Sequence, residues 1–158
     1  MIPRSFKHAV VVVFKEIGDR SHVLVQKRSK TIEKNGGKYA APGGHYDLTD
    51  ISTRRTAQRE MEEETGWKFR INNFKLFRQT KSIDFYYLLV DNNYKKVNQT
   101  SRDEVEKINI SDFPSRSILS ESFGHIWVDI NDFFKLDHTK MFYGYKRDVK
   151  EALDSIQD

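Results

Sequence analysis

Three glutamates, Glu60, Glu63 and Glu64, stand three and four residues apart in a stretch without glycine or proline. On a helix that spacing puts all three carboxylates on one face, within a few ångströms of each other. The placement is locally unfavourable. Like charges so spaced cost a few tenths of a kcal/mol per pair on an exposed helix, and two bare carboxylates about 4 Å apart repel by roughly 4 kcal/mol at an effective dielectric of 20. Gly66 follows directly and reads as a helix stop, which sets the acids in the last turn beside the negative pole of the helix dipole. Two local rules broken at one spot mark function more often than chance surface. A divalent cation with oxygen ligands, Mg²⁺ or Mn²⁺, relieves both. The competing reading is a solvated acidic face steadied by Arg55 and Arg59, with Arg59 in reach of Glu62 or Glu63. That reading leaves Glu60 and Glu64 facing each other without a partner.

The elements that must hold these acids can be traced along the chain. His8 to Phe14 is an almost unbroken β-branched run, expected as a central strand covered on both faces. Gly18-Asp19 separates it from a second strand, His22 to Gln26, in a hairpin, and Lys27, Arg28 and Lys30 follow. Residues Asn35 to Gly44 hold four of the eight glycines and a proline, which predicts a shaped loop with exposed backbone. In Pro42-Gly43-Gly44 a carbonyl is in position to complete a metal shell, or an N–H to meet a phosphate oxygen. The helix is predicted over Ile51 to Thr65, with Asp50 or Ser52 as N-cap and Gly66 after its end. Strands are expected at Trp67 to Phe77, Ile83 to Val90 and His125 to Ile130. Residues 91–122 read as a long polar excursion with one short strand or turn. Tyr145, Val149, Ala152, Leu153 and Ile156 recur at helical spacing and predict an amphipathic C-terminal helix.

Composition narrows the class. The chain has 158 residues, 27 Lys+Arg against 23 Asp+Glu, 13% aromatic content and no cysteine. One domain with a packed core is expected over 1–158, interrupted by the polar insertion at 91–122. The absence of cysteine excludes disulfides, thiolate zinc sites and a cysteine nucleophile, so any metal ligands are oxygen or imidazole. No apolar run approaches the roughly 20 residues of a membrane span, and no leader precedes the first strand, so the expected location is cytoplasmic. The net charge of +4 reads as a solubility feature before it reads as nucleic-acid binding.

The stretch from Gly44 to Trp67 resembles the signature of the Nudix hydrolase family, the MutT-like proteins. That signature runs glycine, five residues, glutamate, seven residues, Arg-Glu, an apolar residue, any residue, Glu-Glu, any residue, glycine and an apolar residue. Its second half is matched throughout by Arg59-Glu60-Met61-Glu62-Glu63-Glu64-Thr65-Gly66-Trp67. In the first half Asp50 stands where the family has glutamate, and eight residues instead of seven lie between Asp50 and Arg59, which reads as one inserted residue near the helix start. The resemblance continues through the hairpin, Lys27-Arg28, Tyr39-Ala-Ala-Pro-Gly-Gly44 and Trp127-Val128-Asp129-Ile130.

The resemblance implies an α/β fold, an α/β/α sandwich around a mixed β-sheet. It implies hydrolysis of a diphosphate linked to another group, usually a nucleoside, with Mg²⁺ or Mn²⁺. Glu60, Glu63, Glu64 and the Gly44 carbonyl would then hold the metal, and Arg59 would orient the glutamates. The general base is a box glutamate, Glu63 or Glu64, or an acid from a later loop. For that loop acid Glu121 comes first, with Glu104 and Glu106 as rivals. Arg28, Lys27, Arg55 and Gly43 are candidates to meet substrate phosphates, and Tyr39 to stack on a base, although most aromatics must be core. The five histidines show no metal-ligand spacing and read as structural or surface groups, with His45 the one beside the loop. The partner implied is a diphosphate-containing small molecule, a nucleotide or nucleotide sugar, acting on a monomer or homodimer without a membrane. The 5′ end or cap of RNA is the alternative substrate, and a non-catalytic nucleotide-binding module the alternative of another class.

Overall fold

The computed structural model describes residues 7–32 and 35–157. The first six residues, read above for a leader, lie outside that range. The chain runs β1 (His8–Ile17), β2 (Arg20–Lys27), β3 (Tyr39–Ala40), β4 (Gly43–His45), α1 (Thr53–Thr65), β5 (Trp67–Phe69), β6 (Lys75–Gln79), β7 (Ile83–Val90), β8 (Tyr94–Lys96), β9 (Ile118–Leu119), β10 (His125–Asp129), α2 (Ile130–Phe133) and α3 (Tyr145–Gln157). The main sheet has the order β6-β7-β1-β2-β10-β9, with β4 on β1 and β3 on β2. β1 and β7 are parallel, and the other pairs of this sheet are antiparallel. The expected mixed sheet is therefore present.

Strand alternation explains why the first run is apolar throughout. Ala9, Val11 and Val13 face one layer with Leu24, Trp127 and the α1 residues Ala57 and Met61. Val12 and Phe14 face the other, with Val23, Val25, Val128 and the α3 residues Tyr145, Val149 and Ala152. Helices cover both faces, the sandwich the resemblance implied. Among the described residues no helix is long and apolar enough to cross a membrane.

Three expectations are corrected. Trp67 to Phe77 is not one strand, because a 3-10 turn at Ile71–Asn73 divides it, and β5 leaves the main sheet to pair with β8. The glycine loop is partly strand, since Gly43–His45 pairs with β1 and Tyr39–Ala40 with β2. The excursion 91–122 is more ordered than expected, with β8, β9, a 3-10 turn at Ile110–Asp112 and an isolated bridge from Val105 to Arg28.

Candidate active site

α1 begins at Thr53, not Ile51. Ser52 is its N-cap, its hydroxyl accepting from Arg55 N–H at 3.2 Å, and Asp50 closes the preceding 3-10 turn instead. The helix ends at Gly66, whose left-handed φ of 79° lets its N–H reach Glu62 O at 2.8 Å. The three acids thus stand in the last turns, as their spacing predicts.

The extra residue of the signature is absorbed at Ile51. It has φ 71°, a conformation a β-branched side chain avoids, and its side chain is turned to solvent at 78% exposure. Asp50, 2% exposed, keeps its place and grips Arg59 twice, Oδ1 to Nε at 2.8 Å and Oδ2 to Nη2 at 2.9 Å. Burial works to raise the Asp50 carboxyl, but Arg59, the Asp47 N–H and the Thr56 hydroxyl outweigh it and hold it at about 2. The fixed guanidinium donates from Nη1 to Glu60 Oε1 at 3.1 Å and to Glu63 Oε2 at 3.2 Å, and from Nη2 to the carbonyl of His45 at 2.9 Å.

Neither Glu60 nor Glu64 stands unpartnered, contrary to the simple helix picture. Glu60 has Arg59, and its carboxyl lies against Gly44, where a Cβ would stand 2.4 Å from it. Glu64 accepts from Gly43 N–H at 2.9 Å and from the Gln26 amide at 2.5 Å. Burial and the neighbouring acids Glu63 and Glu104, only partly offset by Arg59, push the Glu60 carboxyl up to about 7. Burial and the proximity of Glu60 raise Glu64 well above the usual carboxylate range. Carboxyl oxygens of Glu60, Glu64 and Glu104 come within 4.8 Å of one another. An all-oxygen set of acids, two of them buried and disfavoured as bare anions, fits a hard divalent cation.

Glu104 arrives from the excursion, carried by backbone pairing. Thr100 and Ser101 N–H donate to Glu63 O at 2.9 and 3.0 Å, Val97 N–H to Gly66 O at 2.7 Å, and the Gln99 amide to Glu64 O at 2.5 Å. These are the carbonyls that a helix end leaves unpaired. Ser29 N–H then donates to Glu104 O, and Glu106 N–H to Lys27 O, each at 3.0 Å, extending β2 along the excursion. Gly124 permits the approach, since a Cβ there would meet Val105 Cγ1 at 2.0 Å.

The other expected site residues have partners of their own. Glu121 is exposed and paired with Lys96, and it is not one of the clustered acids Glu60, Glu64 and Glu104. Tyr39 is buried at 3%, its hydroxyl donating to Asp112 at 2.5 Å, because its ring fills the core beside Phe113. Lys27 points to that same layer, 5.4 Å above the Tyr39 ring. Arg55 is half-buried and donates to Gln58 at 2.9 Å. Arg28 lies in the strand segment opposite Val105, its guanidinium 5.5 Å from the Phe142 ring. His45 packs against His8 with the rings tilted by 41° and centroids 3.8 Å apart. Sequence reasoning passed over Gln26 and His125. The alternation of β2 carries the signal for Gln26, which shares the helix-facing parity of Leu24.

The model of the NUDIX domain matches residues 6–141. The protein named "Putative hydrolase 111R" of Invertebrate iridescent virus 3 is 31% identical over 122 residues, 76% of this chain and 63% of that protein, so the chain spans less than two thirds of this relative. A MutT/nudix family protein from Enterococcus faecalis superposes with a TM-score of 0.61 at 17% identity, covering 100% of this chain and 64% of that one. The NUDIX domain of Shewanella oneidensis NrtR, solved with ADP ribose, superposes with a TM-score of 0.59 at 16% identity, covering 99% and 94%.

Proposed function

The chain belongs to the NUDIX domain family, and from that premise we propose that it is a pyrophosphohydrolase that hydrolyses the diphosphate bond of a nucleoside diphosphate linked to another group, in a reaction dependent on Mg²⁺ or Mn²⁺. The observation that carries this reading is the meeting of Glu60 and Glu64, from one helix, with Glu104, from a segment forty residues on. Such a convergence is costly without a cation.

Glu60, Glu64 and Glu104 would hold the metal, with the Gly44 carbonyl as a further oxygen donor. When bound, Mg²⁺ or Mn²⁺ supplies stabilisation of the charge that builds at phosphorus and a lowered pKa for water. Arg59, itself fixed by Asp50, orients Glu60 and Glu63. Glu63 is the least buried of the three helix acids, and we assign it the proton of the attacking water. Arg28, beside the strand that brings Glu104, is assigned to substrate phosphate. The reading takes 1–158 as one such domain with 91–122 as its insertion. A nucleotide diphosphate of the size of ADP ribose is the substrate class to test first.

The test is phosphate or nucleotide release from deoxynucleoside triphosphates, nucleotide sugars, ADP-ribose, dinucleoside polyphosphates and capped RNA, with and without Mg²⁺. Release from at least one compound is expected only with the metal, and Glu63→Gln is expected to keep the fold and lower turnover by orders of magnitude. Wild-type rates in that variant refute the role given to Glu63. Nucleotide binding without release points to the non-catalytic module instead.

A further inference from the structure

Behind Glu64 lies a buried polar chain that the proposed reaction does not use. Gln26 on β2 is 2% exposed, and its Nε2 donates to Glu64 Oε2 at 2.5 Å. Its Oε1 lies 2.7 Å from Nε2 of His125, a residue 1% exposed and directly opposite Gln26 in the β2–β10 pairing. The far ring nitrogen of His125 is 2.7 Å from Phe123 O and 3.1 Å from Ser122 Oγ. Phe123 is tied in turn to Gln99, whose amide nitrogen holds the backbone carbonyl of Glu64.

Packing alone does not call for these residue types. A leucine at 26 would fill the same space beside Leu24, without the cost of burying an amide and an imidazole. What the amide adds is direction. A primary amide presents an N–H at one end and an acceptor at the other, so whichever group meets one end decides what the other offers. With the single proton of the neutral His125 ring on Nε2, the Gln26 oxygen accepts it, Nδ1 accepts from the Ser122 hydroxyl, and the Gln26 N–H is left for Glu64. Glu64 is then gripped on both oxygens, by Gln26 from β2 and by Gly43 N–H from β4.

We propose that Gln26 and His125 are positioning residues for the cation site. His125 orients the Gln26 amide, and that amide fixes the Glu64 carboxylate in the direction of Glu60 and Glu104. The inference rests on the metal reading given above. Partners of this kind behind a metal ligand typically change metal affinity by 10- to 100-fold when removed.

The experiment is a titration of the full chain with Mn²⁺ alone, free ion being read by electron paramagnetic resonance, with thermal melts to establish that each variant folds. Gln26→Leu is expected to weaken Mn²⁺ binding by roughly 10- to 100-fold. His125→Phe is expected to weaken it in the same way, and the double variant to bind no more weakly than Gln26→Leu, because His125 acts only through Gln26. His125→Gln, whose amide nitrogen reaches the position of Nε2, is expected to restore binding. Should Gln26→Leu not fold, the contrast between His125→Phe and His125→Gln decides. Wild-type affinity in Gln26→Leu, additive losses in the double variant, or equal affinity of the two His125 variants overturns the inference and leaves the metal reading standing. Absence of saturable Mn²⁺ uptake by the wild type overturns both.

Discussion

The carboxyl of Glu60 rests on the bare Cα of Gly44, where a methyl group would stand 2.4 Å from it. A buried acid and a glycine sixteen residues earlier in a strand thus share one contact, and no larger residue at 44 leaves Glu60 in place. Gly44→Ala is therefore expected to keep the fold and to lower both Mn²⁺ affinity and turnover by at least about tenfold, in the range seen when a metal site loses a supporting contact. Isothermal titration and a progress curve on the best substrate check this. Unchanged values of both would show that Glu60 has room to move.

The two loop acids separate cleanly by where they lie. Glu104 meets Glu60 and Glu64, whereas Glu121 is an exposed partner of Lys96. Glu104→Gln is expected to weaken Mn²⁺ binding by about 10-fold or more, and Glu121→Gln to change it by less than about twofold, as surface ion pairs are worth little. The reverse ranking would return the loop role to Glu121.

Much of this site is legible in the amino-acid sequence, and what is not has a common cause. The helix, its glycine stop and the facing acids follow from spacing within one turn. Strand parity accounts for the two-faced core of β1. Glu104 escapes because nothing local distinguishes it from Glu106 or Glu121. Its position comes from donors at 97–101 closing over the end of α1, a contact between segments far apart in the chain. The divided strand at 67–77 escapes for a different reason, since Phe69 and Phe74 are both buried and only the intervening turn, with two asparagines, breaks the run. Gln26 and His125 read as ordinary strand residues until their pairing sets them side by side.

Acid stability carries the signature of His125. Burial lowers its pKa to about 4, from 6.5 in the unfolded chain. Between those values the unfolded state binds a proton the folded state refuses. The contribution is thus complete above pH 6.5 and is lost as pH falls to 4, by up to about 3 kcal/mol. Urea unfolding of wild type and His125→Gln at pH 7.5 and 4.5 isolates it. The wild type is expected to lose more stability than the variant over that interval, and equal losses would place the proton elsewhere.

Ile51 offers a stabilising change. Its φ of 71° is strained for a β-branched residue and its side chain is 78% exposed, so glycine there sheds strain and surrenders little burial. Ile51→Gly is expected to gain about 1 kcal/mol, within the cost typical of a left-handed conformation, with turnover unchanged because Asp50 still holds Arg59. Differential scanning calorimetry reads the gain as a higher melting temperature.

The segment that seals the carbonyl end of α1 is also the arm that delivers Glu104. Fraying of that helix terminus and departure of the third acid are consequently one event, not two. Until this arm is latched, Glu60 and Glu64 stand without Glu104. Protection of the Thr100 and Ser101 amides against deuterium exchange would report, residue by residue, when the latch has engaged.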